Sequence, residues 1–581
     1  MFTSKLRSEA IPSEGEPRLL KPALRHFERA AREISAHGDN DTLPFDLDVR
    51  FCGDKAQQLA AIAFGFYEEL RNGPEKDNKE RIAAMHVYSE RLIAPSGSAG
   101  FRVVTKIHPF WNTYLNGLAI AIAEALEPKR ENCAHSYRFL IYGEEQLFDP
   151  HRSWRTFKEA TVLHAESMSP DAIIVQTDIS SFYDHVSHHY IENFINDLEG
   201  DSKEVSMQVN ALLSKLSAGR SFGLPVGGQG ARVLAELFLN QIDLALSAVG
   251  VNWHRYVDDY VLIAKNTPDA YRSLGVLGQN LMDYGLTLNK SKTIFLSKKH
   301  YQDYVTSQLG EADDEAVKLR TIDLKFDPYS DKPDEDYESL KETVETLEVR
   351  RLLNRELEKA LPDTFLVAQI GRTMRLHEPI IALEIAETLL KSTNLHAFRS
   401  SFSTIMRGIS NLRADIRFES IHTRIDVLID AVPAHSAHLL KVDANLLHYM
   451  RSLRFRSTSD RARYVRGLYD NTQLDVVRRA CLDCWRSWAD RTGFNYLRNR
   501  WSQMTAECQR LFWLATYNFG DEGDAARRQF RHEAVQTWAL GVEVPLDEKK
   551  DKAKLNNHPR GSEPRFAAIY ETWAKEVKSA D

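Results

Sequence analysis

Cysteine is scarce in this chain, and five cysteines among 581 residues do not make a disulfide framework. The expected setting is therefore reducing and cytoplasmic. The single Cys-x-x-Cys pair, Cys481 and Cys484, lies in a helical pattern and has no second pair that would complete a zinc site. A structural pair of thiols is the preferred interpretation, and a metal or redox role is the minor alternative.

Long apolar runs are also missing. The most apolar stretch, Leu115 to Leu126, is too short to cross a bilayer and is predicted to be a buried helix. The first residues do not show the basic and then apolar pattern of a secretory signal. No membrane association is expected.

An overall excess of positive charge is absent, since the formal net charge is -7. A polyanion needs only a local basic surface, and net charge does not report how charge is distributed. Residues 451–510 contain thirteen arginines, no lysine and six acids, with aromatic residues between the arginines. This composition is typical of a path for single-stranded nucleic acid, although the aromatics are equally typical of helix cores. The candidate contacts are Arg478, Arg479, Trp485 and Arg486.

One short stretch, Trp253 to Ala264, carries two adjacent acids between two strand-like runs. The pattern predicts a β-hairpin with Asp258 and Asp259 at its tip. Two adjacent carboxylates repel each other, and a divalent cation would neutralise them. The ordinary alternative is a pair of solvated acids at a turn.

A second acid strengthens the interpretation that this is a metal site. The buried-strand pattern that begins at Asp171 ends at Asp178 and passes into a polar and aromatic turn. Beside the hairpin acids, Asp178 would complete a three-carboxylate site for two Mg²⁺ ions, with Mn²⁺ as a substitute. Two such ions can clamp the attacking and leaving oxygens of an in-line phosphoryl transfer.

Four segments then appear in an order that resembles the motifs of reverse transcriptases. The resemblance covers about residues 100–300 and implies an α+β fingers and palm architecture, a nucleotidyltransferase that uses dNTPs, and catalytic and metal-binding roles for Asp178, Asp258 and Asp259. The segments are Asp178 to Tyr183, Gly223 to Gly227, Tyr256 to Asp259, and Gly285 to Thr293.

The resemblance also implies roles around the nucleotide. The carbonyl of Ile179 would assist the metal ions, and Tyr183 resembles the aromatic gate that excludes a 2′-hydroxyl, with a core aromatic as the alternative. Lys292, in the last segment, would contact nucleic acid. Two strand-like runs, residues 101–107 and 136–142, resemble the fingers hairpin. Their cations Lys106 and Arg138 would meet the triphosphate, because arginine offers a planar fork to phosphate; solvated strand cations are the alternative.

One position departs from the common pattern. Val226 follows the Gly-Leu-Pro segment where many reverse transcriptases have Gln. This form resembles the bacterial abortive-infection (AbiK-like) enzymes of anti-phage defence. That resemblance implies template-independent, protein-primed synthesis of single-stranded DNA. A conventional enzyme that copies an RNA template and an inactive polymerase-like scaffold remain as alternatives.

The chain is long enough for two or more domains. The predicted division is 1–165 for an N-terminal helical segment and fingers, 166–305 for the palm, 306–347 for an acidic linker, and 348–581 for an all-α domain. Similar Asp-x-x-Arg-Arg segments at Asp475 and Asp524 favour a HEAT-like helical repeat, with a non-repetitive bundle as the alternative. A homo-oligomer is expected, because a second chain would help to enclose the nascent strand.

Overall fold

The computed structural model describes residues 20–580 apart from 73–74, 98–99, 142, 144–145, 200–202, 310–314, 322–340, 342–343, 345–346, 360–361 and 541–564. Most of the predicted acidic linker, 306–347, therefore lies outside the described residues. In the part of the chain that is described, no helix is both long and apolar enough to cross a membrane.

The N-terminal elements are helices followed by a β-hairpin and a long apolar helix. They are α1 (Leu24–His37), α2 (Leu47–Asp54), α3 (Ala56–Asn72), α4 (Glu75–Ala84), β1 (Ser89–Ser96), β2 (Gly100–Ile107) and α5 (Pro109–Leu126). The predicted buried helix is confirmed, since the side chains of Tyr114, Leu118 and Ile122 on α5 are inaccessible to solvent. The predicted strand at 101–107 is confirmed as β2.

The central part alternates helices with the strands of one sheet. Its elements are α6 (Trp154–Ser167), β3 (Ile173–Asp178), α7 (Phe182–His185), α8 (His188–Glu199), α9 (Glu204–Leu216), α10 (Gln229–Ala248), β4 (Trp253–Tyr256), β5 (Asp259–Ala264), α11 (Thr267–Asp283), β6 (Ile294–Ser297), α12 (Lys298–Leu309) and α13 (Glu315–Thr321). The four strands are antiparallel and lie in the order β4-β5-β3-β6.

The C-terminal region is helical throughout its described residues, as predicted. Its helices are α14 (Val349–Leu357), α15 (Thr364–Thr373), α16 (Pro379–Leu390), α17 (Ser392–Ala397), α18 (Phe402–Ala414), α19 (His422–His435), α20 (Asp443–Leu453), α21 (Ser459–Asn471), α22 (Asp475–Ser487), α23 (Arg491–Arg498), α24 (Ala506–Thr516), α25 (Gly520–Thr537) and α26 (Arg565–Ala580). Helices α15, α18, α20, α22 and α24 pack in that succession. This layered packing fits a helical repeat better than a bundle.

The chain divides into two compact units, each built from separate stretches of sequence. Of the described residues, those within 20–33, 63–72 and 113–302 form unit 1, and those within 34–62, 75–112 and 303–580 form unit 2. Unit 1 contains the four-stranded sheet. The β1–β2 hairpin belongs to unit 2 together with the C-terminal helices, so the segment predicted as fingers contributes to both units.

The hairpin in unit 2 is held by capping contacts to the C-terminal helices. The carboxylate of Glu90 on β1 accepts hydrogen bonds from the backbone N–H groups of Asp475 and Val476, at 2.7 and 2.8 Å, where α22 begins. Free N–H groups and the helix dipole favour a negative charge at that end. Asp443, at the start of α20, accepts from the backbone N–H of Ile93 at 2.7 Å.

The second predicted strand, residues 136–142, is wrong over its described residues. Tyr137 has a left-handed backbone with φ of 48°, and only an isolated bridge joins Phe139 to Phe148. The guanidinium of Arg138 donates to the carbonyls of Glu131 and Ala134, at 2.8 and 3.2 Å, which curls the segment back on itself. These local contacts compete with strand pairing.

Candidate active site

The sheet of unit 1 brings the three predicted acids to one edge. Strands β3 and β5 are neighbours, and their register places Asp178 directly opposite Asp259. The β4–β5 turn carries Asp258, and its carbonyl accepts a hydrogen bond from the backbone N–H of Ile179 at 3.2 Å. The predicted strand, turn and strand are therefore confirmed, and residues about 80 positions apart in the sequence meet at the tip.

The turn that presents Asp258 is strained and held from both sides. Val257 has φ of 55°, a left-handed conformation that is unfavourable for a β-branched residue. The hydroxyl of Ser136 accepts from the Val257 N–H at 2.9 Å, and Arg255 Nη1 donates to the Val257 carbonyl at 3.0 Å. These two contacts fix the backbone in a conformation that the sequence alone would disfavour.

The carboxylates at this edge repel one another. Burial, followed by the charges of Asp178 and Asp259, raises the pKa of Asp258 to about 7. Burial and Asp178 also raise the pKa of Asp259, while Lys292 and Lys158 oppose that shift. Strongly shifted pKa values are common in functional sites, because such sites bury like charges close together for binding or catalysis.

Asp178 has two polar partners from the segment before β6. Asn289 Nδ2 donates to Asp178 Oδ2 at 3.0 Å, and Lys292 Nζ lies 3.0 Å from the same oxygen. The Asn289 backbone N–H also donates to the Asp178 carbonyl at 2.7 Å. Lys292 was predicted to contact nucleic acid, and its side chain is 62% exposed. Asn289 was not predicted as a site residue, although it lies in the same motif segment.

The residues at this edge suit a hard divalent cation in their chemistry. In the described part of the chain, no group of three or more His, Cys, Asp or Glu side chains is already arranged to hold a metal ion. The donor set nevertheless consists of carboxylate oxygens, which Mg²⁺ prefers. The repulsion that raises the pKa of Asp258 is what a divalent cation would remove. Lys292 supplies part of that neutralisation here, through its contact with Asp178.

A buried lysine that the sequence did not single out lies on the same face of the sheet. Lys158 on α6 donates from Nζ to Gln176 Oε1 at 3.2 Å, and Gln176 is two residues before Asp178 on β3. Burial lowers the pKa of Lys158 to about 8, and the charge of Asp259 opposes this change. Lys158 therefore adds a titratable cation beneath the acids.

A buried charge network supports the hairpin from the other side. Arg255 is inaccessible to solvent and pairs with Asp243 at 2.6 Å and with Glu236 at 2.9 Å. Glu236 also accepts from Arg130 at 2.5 Å and from the Ser136 hydroxyl at 2.6 Å. Ser136 and Arg255 are the residues that hold the Val257 turn, so the network ties the helix α10 to the acids.

Tyr183, the predicted aromatic gate that would exclude a 2′-hydroxyl (the sugar gate), lies near the acids. Tyr183 is half-buried just after Asp178, and its carbonyl accepts from the backbone N–H of Leu224 at 2.9 Å. Burial, the Tyr137 hydroxyl and Glu236 raise the pKa of Tyr183, and Asp258 contributes to the same shift. The structure thus brings together the first acid, this aromatic and the Gly-Leu-Pro segment.

The two predicted fingers cations are engaged elsewhere. Lys106 lies in unit 2 and is 4% exposed; its ammonium pairs with Asp39 and, at 2.9 Å, with Asp46. In unit 1, Arg138 pairs with Glu127 at 2.5 Å. Both cations therefore neutralise internal carboxylates here, and their contact with a triphosphate stays a prediction.

The four residues predicted to form a strand path lie in unit 2 and are mostly internal. Trp485 is 4% exposed and Arg479 is 7% exposed, and Arg479 pairs with Asp48 at 2.7 Å and with Glu507 at 3.0 Å. The other two pair within α22. Arg478 lies 3.6 Å from Asp475, and Arg486 lies 3.0 Å from Asp483. Ion pairing thus occupies much of the charge of this segment.

Comparison with known proteins agrees with the motifs. Residues 122–312 match the family model described as reverse transcriptase (RNA-dependent DNA polymerase). The chain therefore contains a reverse transcriptase domain, which implies nucleotidyltransferase activity. A search of curated proteins found no match.

Two solved structures show weak similarity. An apo telomerase from Candida tropicalis is 11% identical and aligns over 63% of this chain and 69% of its own, with a TM-score of 0.29. A telomerase from Candida albicans in complex with a fragment of telomeric RNA is 10% identical over 60% and 68%, with a TM-score of 0.27.

Proposed function

We propose that this protein is a DNA polymerase that adds dNTPs without a template, starts from a protein hydroxyl and acts in anti-phage defence by abortive infection. The observation that carries the polymerase activity is the pairing of Asp178 with Asp259 across β3 and β5, with Asp258 on the adjoining turn. Two Mg²⁺ ions bound there, for which Mn²⁺ could substitute, would supply charge stabilisation for phosphoryl transfer.

The protein's own residues have distinct roles in this proposal. The carboxylates of Asp178 and Asp258 hold the cations with help from the Ile179 carbonyl, and Asp259 contributes mainly to the local field. Asn289 orients the Asp178 carboxylate through its hydrogen bond at 3.0 Å. Lys292, which is exposed beside Asp178, is placed to meet the phosphates of an incoming dNTP or strand.

Synthesis without a template is inferred from Val226 and the residues that follow it, after the Gly-Leu-Pro segment. Val226 presents an aliphatic side chain where many reverse transcriptases have Gln, so it offers no hydrogen bond to a template. The next amide side chain, Gln229, is occupied on both ends: it donates to Glu33 at 2.9 Å and accepts from Arg232 at 2.8 Å. These contacts favour synthesis without a template over the conventional reaction.

The test is an assay with the full chain, Mg²⁺ and labelled dNTPs, with and without an RNA template. We expect long products without any template. Product that forms only when RNA is added would establish the conventional alternative, and no product under either condition would favour the scaffold.

Protein priming predicts where the label is found. A Tyr or Ser hydroxyl can act as the starting nucleophile once a cation lowers its pKa. The product should then remain with protein through a denaturing gel and phenol extraction, and protease should release it. Product that enters the aqueous phase without protease treatment would rule out a protein primer.

The protein is also proposed to form a homo-oligomer. Light scattering would then give a mass larger than that of one chain.

The sugar gate gives a second, independent prediction. Replacing Tyr183 with Val should increase the use of rNTPs relative to dNTPs by at least tenfold, because removal of the ring opens space beside Asp258. A tenfold change corresponds to about 1.4 kcal/mol in the barrier difference. Tyr183→Phe, which keeps the ring, is the matched control and should retain the wild-type preference. If Tyr183→Val also keeps that preference, the ring is only a packing residue.

A further inference from the structure

A cleft in unit 2 combines a cationic wall with an apolar one. Its cavity volume is about 60 Å³. The cleft opens between the loop before α2 and the helices α20 and α22. The lining residues that matter for binding are Phe45, Asp46, Lys106, Arg451, Arg454, Arg479 and Asp483.

Some of the cations in this cleft are neutralised internally. Lys106 pairs with Asp39 and Asp46, and Arg479 pairs with Asp48 and Glu507. These pairs form a buried network that joins β2 and α2 to the C-terminal helices. The four carboxylates outnumber the two cations, so this network offers no positive charge to a ligand.

The charge of Arg451 is not neutralised in this way. Its Nη1 donates to the Phe45 carbonyl at 2.6 Å, and among the described residues no carboxylate lies within 4 Å of its guanidinium. Arg454 follows one turn later and lies 3.4 Å from Asp483, an acid that it shares with Arg486. Burial and Arg454 lower the pKa of Arg451 to about 10. An anion bound here would relieve that repulsion.

A third arginine extends the positive surface onto the neighbouring helix. Arg407 is not part of the cleft lining; it lies on α18, which packs against α20, and it forms no ion pair within the described residues. Its charge helps to lower the pKa of Arg451, so the two side chains are close enough to interact. Burial and Arg372, on α15, lower the pKa of Arg407. Arginines thus occur on successive layers of the helical array, and packed helices are about 8–10 Å apart. A row of cations on this spacing suits a polymer of phosphates better than one small anion.

An exposed aromatic ring completes the cleft. Phe45 is 37% exposed, and its ring lies against Gly38, where φ is 88° and a Cβ would be 2.7 Å from the ring. The loop that carries it is fixed to α20, since His448 Nε2 lies 2.9 Å from the Thr42 carbonyl. A rigid aromatic beside arginines is the arrangement that binds a base and its phosphate in single strands.

We propose that this cleft binds one nucleotide unit of a single-stranded nucleic acid, with the base stacked on Phe45 and its phosphate on Arg451 and Arg454, and that the next phosphate along the strand meets Arg407 beside the cleft. The identity of the strand as the DNA product rests on the proposed polymerase function. The cleft itself is large enough for a phosphate group, and the base lies at its open mouth. An acidic peptide would satisfy the arginines but would have no group to stack on Phe45.

The test measures binding of a fluorescent 20-nucleotide oligothymidine to the full chain in EDTA, without dNTPs, by anisotropy. Phe45→Ala should weaken binding about 5- to 150-fold, the range for loss of one stacked base. Arg407→Gln should weaken it as well and reduce by about one the slope of log affinity against log salt. Arg407→Gln breaks no ion pair in the described structure, so this variant should fold normally. Melting curves of each variant check that it does.

The matched control is Arg463→Gln, whose side chain is 80% exposed and pairs only with Asp460 among the described residues. Unchanged affinity in both Phe45→Ala and Arg407→Gln, or an equal loss in the control, would overturn the proposal. If polyglutamate competes as well as unlabelled oligonucleotide, the proposal is overturned and the cleft binds an acidic peptide. If dTTP competes as well as the oligonucleotide at equal phosphate concentration, the proposal is overturned and the cleft binds a free nucleotide. Because the assay contains no Mg²⁺ or dNTP, its outcome is separate from that of the polymerase assay.

Discussion

Asp258→Asn is expected to abolish nucleotide addition and to raise the melting temperature of the metal-free protein at pH 8. Activity is lost because the amide is a poorer ligand for the cations that the transfer needs. Stability is gained because the neutral side chain no longer repels Asp178 and Asp259, which together with burial raise the pKa of Asp258 to about 7. A gain of about 1 kcal/mol would shift the melting temperature by roughly 2–4 °C.

The pH dependence of that gain follows from the direction of the pKa shift. The pKa of Asp258 in the folded protein, about 7, is above its ordinary value of 3.8, so between these values the folded state binds more protons than the unfolded state. The contribution of Asp258 to stability is therefore present at low pH and is lost as the pH rises through 7. The difference between variant and wild type should therefore grow with pH across this window, and it should be smaller at pH 5 than at pH 8.

Thermal melts in EDTA at the two pH values provide the measurement, and Mg²⁺ provides the contrast. Added Mg²⁺ should stabilise the wild type and leave Asp258→Asn nearly unchanged. Asp197→Asn, an exposed acid on α8, is the control and should change neither activity nor melting temperature. Polymerisation by Asp258→Asn, or a melting temperature below that of the wild type at pH 8, would contradict the assignment.

The sequence predicted those parts of the site that depend on local patterns. The hairpin at Asp258 could be recognised because alternating apolar residues flank a polar tip, and Asp178 because a buried run ends there. The contacts of Asn289 and Lys158 could not be recognised in the same way. Asn289 meets Asp178 across 111 positions of sequence, and the pairing of β3 with β6 and the backbone contact of Ile179 with Leu288 bring them together.

The arginine-rich segment shows why composition predicts charge better than exposure. Residues 451–510 carry the predicted excess of arginine, yet Arg479 lies inside unit 2 because its partner Asp48 comes from the distant helix α2. Trp485 is buried against the rings of Tyr469 and Tyr496 in the same segment. Arg407 and Arg451, which form no ion pair within the described residues, are on two different helices. Sequence alone could not indicate that the charge of Arg407 helps to lower the pKa of Arg451.

Arg255→Met is expected to destabilise unit 1 strongly. Arg255 is fully buried and pairs with Asp243 at 2.6 Å and Glu236 at 2.9 Å, and its removal leaves Asp243 without a cation. Loss of one partner from a buried ion pair costs about 3–5 kcal/mol, more than the pair itself contributes. Because Arg255 also donates to the Val257 carbonyl, the turn that presents Asp258 should loosen as well.

Hydrogen exchange of the β4 and β5 amides, read peptide by peptide, would measure this effect within the sheet. The double variant Arg255→Met with Asp243→Asn should recover part of the lost protection, because it removes the charge that the single variant leaves buried. Arg272→Met is the matched control, since its pair with Asp269 is half exposed and such pairs contribute about 0–1 kcal/mol. If the β4 and β5 amides of Arg255→Met exchange as slowly as those of this control, the buried charge network around Arg255 does not stabilise the hairpin that carries Asp258 and Asp259. If the double variant exchanges faster than the single one, the uncompensated charge of Asp243 is not the cause of the loss.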